Sequence, residues 1–161
     1  MPDTAVTRFL FRTMRVRDAL AASRWRYPVE YALYDLSLTE LSFYAIFRAP
    51  LRTLGVYPLA VATADDPFIS VFSLIHRGDD VEIGVGMRPD LMGHGLGLEL
   101  MLQGMEYARK LLHPATFSLD VATFNRRAIV VYERAGFQPG PTKPFTTQGK
   151  RYESMKMTRP A

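Results

Sequence analysis

The 161-residue sequence contains no cysteine. That excludes a disulfide, a thiolate metal site and a cysteine nucleophile, and it fits a cytoplasmic protein. No apolar run approaches the length of a membrane span. The opening "MPDTAVTRFLFRTMRVRD" has no apolar stretch followed by small residues, so no signal peptide is expected. Blocks of five or more like charges are missing too. The net charge of +4 comes from basic residues scattered through "RTMRVRD", "SRWR" and "NRR", the pattern of a solvated basic surface and not of a nucleic-acid tail. Neither a nucleic acid nor a membrane is therefore expected as a partner, whereas a small anionic ligand needs only a few of these charges. Internal repeats, low-complexity tracts and Ser/Gly linkers are absent as well. One domain over residues 1–161 is expected, large enough to bury a real core.

What is present is a mixed pattern. "TRFLFRTM" (7–14) reads as a strand, and Asp18 is placed to cap a helix running through "ALAASRWR" toward Pro28. Ser37 and Glu40 have capping-box spacing, which predicts a helix through "LSFYAIF", although those aromatics suit a strand equally well. "PLAVAT" and "FISVFSLI" are β-favouring runs separated by "ADDP", a hairpin pattern, and "HRGDD" turns the chain into a further strand, "VEIGVGM". Leu98, Met101, Leu102, Met105, Ala108 and Leu112 recur at helical spacing, with Glu99, Gln103, Glu106 and Lys110 opposite, so an amphipathic helix is predicted over 97–112. "TFSLDVATF" alternates as a strand. Asn125 can then cap "RRAIVVYERA", with Gly136 where a left-handed residue ends a helix, and "PFTTQGKRYESMKM" reads as a closing hairpin. The fold class that follows is α/β (α+β): one mixed sheet, mostly antiparallel, with helices packed against it.

Between the strand "VEIGVGM" and the long helix lies "MRPDLMGHGLG", with glycines at 93, 95 and 97. A strand feeding a glycine-rich turn and then a helix is a ready anion site. The first helical N–H groups lack internal partners, and glycines remove the Cβ atoms that would keep a phosphate away. The ligand is not a Walker-type nucleotide, because the Lys-Ser/Thr pair is missing, and GxGxG this late in the chain is a poor dinucleotide fingerprint. Taken alone, GxGxG is more often a turn that binds nothing. Gly84 and Gly86, on one strand face with Glu82, admit two readings. One is a bare slot for an elongated ligand; the other is a surface over which a neighbouring side chain packs.

Two motifs together resemble the GNAT superfamily of acetyl-CoA-dependent N-acetyltransferases. "MRPDLMGHGLG" is similar to the family's Q/R-x-x-G-x-G/A turn, with Met92 in place of the usual glutamine or arginine. "NRRAIVVYERAGF" is similar to its N-x-x-A-x-x-x-Y-x-x-x-G-F segment through Asn125, Ala128, Tyr132, Gly136 and Phe137. The matching stretch covers roughly residues 81–137. The resemblance implies a splayed parallel strand pair at the centre of the sheet, with acetyl-CoA between 81–87 and 116–124 and no metal. Backbone at Gly93, His94, Gly95, Leu96, Gly97 and Leu98 would hold the pyrophosphate, with Arg88, His94, Arg126 or Arg127 as possible added charge. Val85, Gly86, Met87 and Asn125 would contact the pantetheine arm.

The implied reaction is direct attack of a primary amine on the thioester. It needs a base for the amine, an N–H donor for the developing oxyanion and a proton for the departing thiolate. Tyr132 is assigned the last role by the resemblance, although on periodicity alone it belongs to an apolar helix stripe. Asp120 and Glu82 are rival bases, and an N–H near Met87 is the oxyanion donor. The aromatic-rich stretch 23–50, including Trp25, Tyr27, Tyr31, Tyr34, Phe43 and Tyr44, would line the acceptor side. An amine acceptor, either a small molecule or a peptide N-terminus, and a homodimer complete the expected partners. The alternative is an inactive acyl-CoA-binding sensor or subunit, for which Met92 is the only hint.

Overall fold

β-Branched and aromatic runs separated by short turns build the sheet directly. In the computed structural model, which describes residues 9–37 and 48–161, the strands are β1 (Leu10–Thr13), β2 (Val56–Ala62), β3 (Ser70–Arg77), β4 (Asp80–Met87), β5 (Thr116–Ala122), β6 (Gln138–Thr147) and β7 (Lys150–Pro160). They form one sheet in the order β1-β2-β3-β4-β5-β7-β6. All neighbours are antiparallel except β4 and β5, which run parallel. That parallel pair is short. Its register covers Asp80↔Thr116, Val81↔Phe117 and Glu82↔Ser118, and then pairing stops. Residues 83–87 and 119–122 continue as strands on either side of a gap in the sheet.

The helices are α1 (Val16–Ala22), α2 (Arg48–Thr53), α3 (Gly97–Leu112) and α4 (Arg126–Arg134), with 3-10 turns at Val29–Tyr34 and Pro89–Leu91. α3 and α4 cover one sheet face. There Leu100, Met101 and Met105 pack with Phe72, Leu74, Ile83, Phe117 and Leu119 in the main core. Each such fully buried side chain contributes roughly 1.5–3 kcal/mol before entropy is charged against it. Gly104 lets α3 approach closely, because the ring of Phe72 occupies the space a Cβ would take. The opposite face is covered by α1, whose Ala19 and Ala22 pack with Met14 and Trp25 against Phe68 and Val71.

Several expectations shift. α1 begins earlier than predicted, with Arg15 at the cap, and Asp18 is its third residue, accepting the Arg15 N–H at 2.8 Å. It ends at Ala22, well short of Pro28, and Trp25 turns inward to stack on Phe68 at 5.0 Å. The inward face of α3 is Leu100, Met101, Gly104, Met105 and Ala108, whereas Leu102 is 40% exposed. The helix predicted from Ser37 and Glu40 falls mostly on residues 38–47, outside the described residues, as do Phe43 and Tyr44.

Candidate active site

Where the β4–β5 ladder stops, backbone groups lose their partners. The Arg88 N–H bonds to Ile69 O at 2.9 Å. In an antiparallel ladder the bonded residues alternate, so the N–H and C=O of Val85 and Met87 turn away from β3, toward the gap. The gap opens into a cavity of about 900 Å³ that passes from one sheet face to the other. Its wall includes Val85, Gly86, Met87, Asp120, Asn125 and Tyr132.

One end of the cavity is built for negative charge. Gly93 and Gly95 hold φ of +77° and +76°, left-handed values that most side chains resist. α3 then begins at Gly97, and its cap, Leu96, has no side-chain hydrogen bond to offer the first N–H groups. Those N–H groups and the helix dipole face the cavity through Gly95, Leu96, Gly97 and Leu98. Gly97 faces Val131 of α4, and a Cβ there would make ordinary contact with it at 3.6 Å. Arg126, Arg127 and Arg134 of α4 line the same cavity. Arg127 packs so near the loop that a Cβ at Gly93 would come within 2.9 Å of its Nη2. His94 is exposed and stands outside the wall. Arg88 is committed elsewhere. It bonds to Asp66, Asp90 and the Phe68 carbonyl, pinning the end of β4 to the β2–β3 hairpin, and both aspartates lie below the usual carboxylate range because of its hydrogen bonds.

The other end is phenolic. The Tyr27 hydroxyl donates to Met87 O at 2.8 Å, and Asn125 Nδ2 donates to Tyr34 Oη at 3.2 Å. Asn125 also caps α4, its Oδ1 accepting the Ala128 N–H at 3.2 Å. Tyr132 reaches the cavity from α4, and burial, with a smaller contribution from nearby Tyr34, raises its pKa well above the ordinary value. It is a neutral donor throughout the neutral range.

Asp120 lies on the cavity wall, with Lys156 Nζ at 3.8 Å from its Oδ2. Glu82 is the last residue paired with β5 and is not part of that wall. The glycine face of β4 is less bare than one of the two sequence readings supposed. A Cβ at Gly84 would meet Ser73 Oγ at 2.5 Å, and one at Gly86 would meet Val71 at 3.0 Å and the Tyr27 hydroxyl at 3.5 Å. Small neighbours fill the space beside both glycines, and both still line the cavity.

The hydrogen bonds of Tyr27 and Tyr34 were not read from the sequence. No periodic signal marks them, since Tyr27 precedes the 3-10 turn Val29–Tyr34 and only the fold brings the two hydroxyls to the gap.

A splayed parallel pair, a glycine turn at an uncapped helix start and a through-sheet cavity define an acyl-coenzyme A-dependent transferase. The family of acetyltransferase (GNAT) domains matches residues 8–138, and the chain belongs to it; it is an acetyl-CoA-dependent N-acetyltransferase. Among solved structures, it is similar to spermidine N-acetyltransferase from Vibrio cholerae in complex with CoA and spermine, at 17% identity over 94% of this chain and 95% of that one, with a TM-score of 0.78. A dodecameric structure of the Vibrio cholerae enzyme in an intermediate state aligns at 20% identity over 94% and 93%, with a TM-score of 0.73. No curated protein matches the chain. Coenzyme A fits what is present: a cradle a Cβ would obstruct, backbone N–H groups of Val85 and Met87 turned from β3 toward the gap, and arginines at the anionic end. No described helix is long and apolar enough to cross a membrane.

Proposed function

We propose that this chain acetylates a primary amine directly, with Asp120 as base, the Met87 N–H as oxyanion donor and Tyr132 as the acid. Bound acetyl-CoA supplies an activated acetyl thioester. Asp120 accepts the proton of the attacking ammonium, through a water if the amine stands beyond the reach of its short side chain. The Met87 N–H, directed into the gap, stabilises charge building on the acetyl oxygen. The Tyr132 phenol donates to the sulfur as the thiolate departs, and burial keeps that proton in place until charge develops beside it. Asn125 and the edge of β4 hold the pantetheine arm, and the amides of 93–98 hold the pyrophosphate.

The observation that carries this reading is continuity. One cavity joins the uncapped start of α3, the open edge of β4, Asp120 and Tyr132. Glu82 stands off that wall, which favours Asp120 as the base. The test is titration calorimetry with coenzyme A, followed by thiol release from acetyl-CoA with an amine panel. Binding without transfer to any amine would leave only an acyl-CoA-binding role, and absence of binding would remove the reading altogether. The relatives' spermidine and spermine belong in that panel. A homodimer, checked by light scattering, is the assembly we propose.

A further inference from the structure

Resting on that reading, we infer that residues 27–35 brace the gap in the sheet, with Tyr27 and Tyr34 as positioning residues, one at each edge. At the β4 edge the Tyr27 hydroxyl donates to Met87 O at 2.8 Å. The same peptide sends its other polar group, the Arg88 N–H, to Ile69 O at 2.9 Å. Both polar groups of that peptide are thereby held, and the Met87 N–H assigned to the oxyanion lies one peptide before it. At the β5 edge the Thr123 N–H bonds to Glu153 O at 2.9 Å, so the Ala122 N–H turns away from β7 and into the gap. It is directed at Tyr34 Oη, and Asn125 Nδ2 donates to the same oxygen at 3.2 Å. Asn125 is the residue set against the pantetheine arm, and Tyr34 also stands near Tyr132.

Past Glu82↔Ser118 the β4–β5 ladder no longer joins these edges. The segment joins them through side chains, and it is stiff enough to transmit the constraint. Asp35 Oδ1 accepts the Tyr27 N–H at 2.9 Å, tying the segment end to end. Within it the N–H groups of Tyr31 and Asp35 bond to Pro28 O and Ala32 O at 2.8 and 3.1 Å. It is anchored from behind as well. Trp25 stacks on Phe68 at 5.0 Å just before it, Tyr31 stacks on Phe124 at 6.3 Å, and Gln148 Nε2 donates to Ala32 O at 3.3 Å. A thioester held between edges of fixed spacing meets the oxyanion donor and the acid together, where a misplacement of about 1 Å is enough to cost roughly 100-fold in rate.

Tyr27→Phe and Tyr34→Phe remove the two hydroxyls and keep the rings. Amide hydrogen exchange of the full chain without ligand, read by NMR relative to the amides of α3, tests the brace with no acceptor needed. Each variant should speed exchange at the opposite edge about fivefold, Tyr27→Phe at Ala122 and Tyr34→Phe at Arg88, the effect of one net hydrogen bond. Acceleration confined to the edge that lost its hydroxyl overturns the brace and leaves two separate hydrogen bonds. Thiol release is then followed as acetyl-CoA is varied, with saturating spermidine or, if spermidine is inert, the fastest amine of the panel. Each variant should lower kcat about tenfold with the acetyl-CoA KM within about twofold. The double variant should fall no further than the worse single one, because releasing either end frees the span. A double variant down about 100-fold, the product of two independent losses, overturns the brace. So does an acetyl-CoA KM that rises with kcat unchanged, the mark of residues that only bind. Coenzyme A binding without transfer to any amine overturns the transferase reading, and the exchange rates still decide the brace.

Discussion

The hydroxyl of Tyr27 donates to the carbonyl oxygen of Met87 at 2.8 Å across a separation of 60 residues. It ties the segment after α1 to the free edge of β4, and burial raises its pKa to about 12. An unfolded tyrosine titrates near about 10. Between these values the folded chain holds more protons, so this contribution to stability is complete below about pH 10 and is lost as pH climbs toward about 12. Tyr27→Phe should lose about 1 kcal/mol at pH 7, a fall of about 2–4 °C in Tm. It should also show a shallower alkaline decline. Calorimetry at pH 7 and pH 11 reads both.

Tyr132→Phe separates chemistry from binding. The ring keeps its packing against Phe137, 6.3 Å away, and only the proton donor goes. Turnover should fall at least about tenfold, toward the roughly 100-fold or more that a general acid typically contributes, while coenzyme A affinity measured by calorimetry stays within about twofold. Equal turnover would remove the tyrosine from the reaction.

Gly95→Ala isolates backbone conformation, because the space around its Cβ is open and only its φ of +76° resists. The left-handed region costs an alanine about 1–2 kcal/mol. A loop that relaxes turns its amides off the anion, and coenzyme A affinity should weaken about tenfold if that strain is spent in the loop. Gly93→Ala carries the same backbone strain, at φ of +77°, and displaces only the flexible end of Arg127, so it should weaken binding about as much. Calorimetric titration of both variants measures the loss, and equal affinity with wild type would detach this turn from the ligand.

Periodicity was most informative where one element buries one face. α3 begins and ends where its apolar spacing does, and Asn125 and Gly136 punctuate α4 as their side-chain chemistry requires. The face of α3 was harder to read, because Gly104 scores as a helix breaker yet marks the closest approach to Phe72. The gap was legible only through the motif resemblance, since no local pattern says that pairing ends at Glu82↔Ser118. Arg88 illustrates the opposite difficulty. A cation beside an anion loop invites a binding role, and only the fold brings Asp66 across to claim it.

Gly104→Ala should be costly. The new methyl would sit inside the van der Waals shell of the Phe72 ring, which is itself buried and packed edge-on to Phe11 at 5.4 Å. Overpacking of this kind costs about 1–3 kcal/mol despite the better helix propensity of alanine. A drop in Tm is expected, largely recovered by the double variant with Phe72→Leu. If the single variant is as stable as wild type, α3 and β3 have room that their packing does not show.

The ion pair of Arg12 and Asp18 governs behaviour in acid. Asp18 is 3% exposed and accepts both guanidinium nitrogens of Arg12, at 2.6 and 2.8 Å, besides the Arg15 N–H. Burial alone would raise its pKa, but the bonds from Arg12 and Arg15 outweigh it and hold the carboxyl below its ordinary value. Because the folded value is the lower one, the stabilisation is complete above the unfolded value near about 3.9 and fades as pH falls through the folded one. Asp66 and Asp90 are depressed by Arg88 and act with the same sign. Asp18→Asn keeps a partner for the Arg15 N–H and removes the charge. It should therefore cost about 2 kcal/mol at pH 7, less than a fully buried pair would, because Arg12 is partly solvated. As pH falls below the unfolded value the gap between variant and wild type should narrow, since protonation then takes from the wild type the charged interaction that the variant already lacks. Denaturant melts at pH 7 and pH 3 measure the two differences, and a gap that widens in acid would mean that Asp18 destabilises the fold when charged.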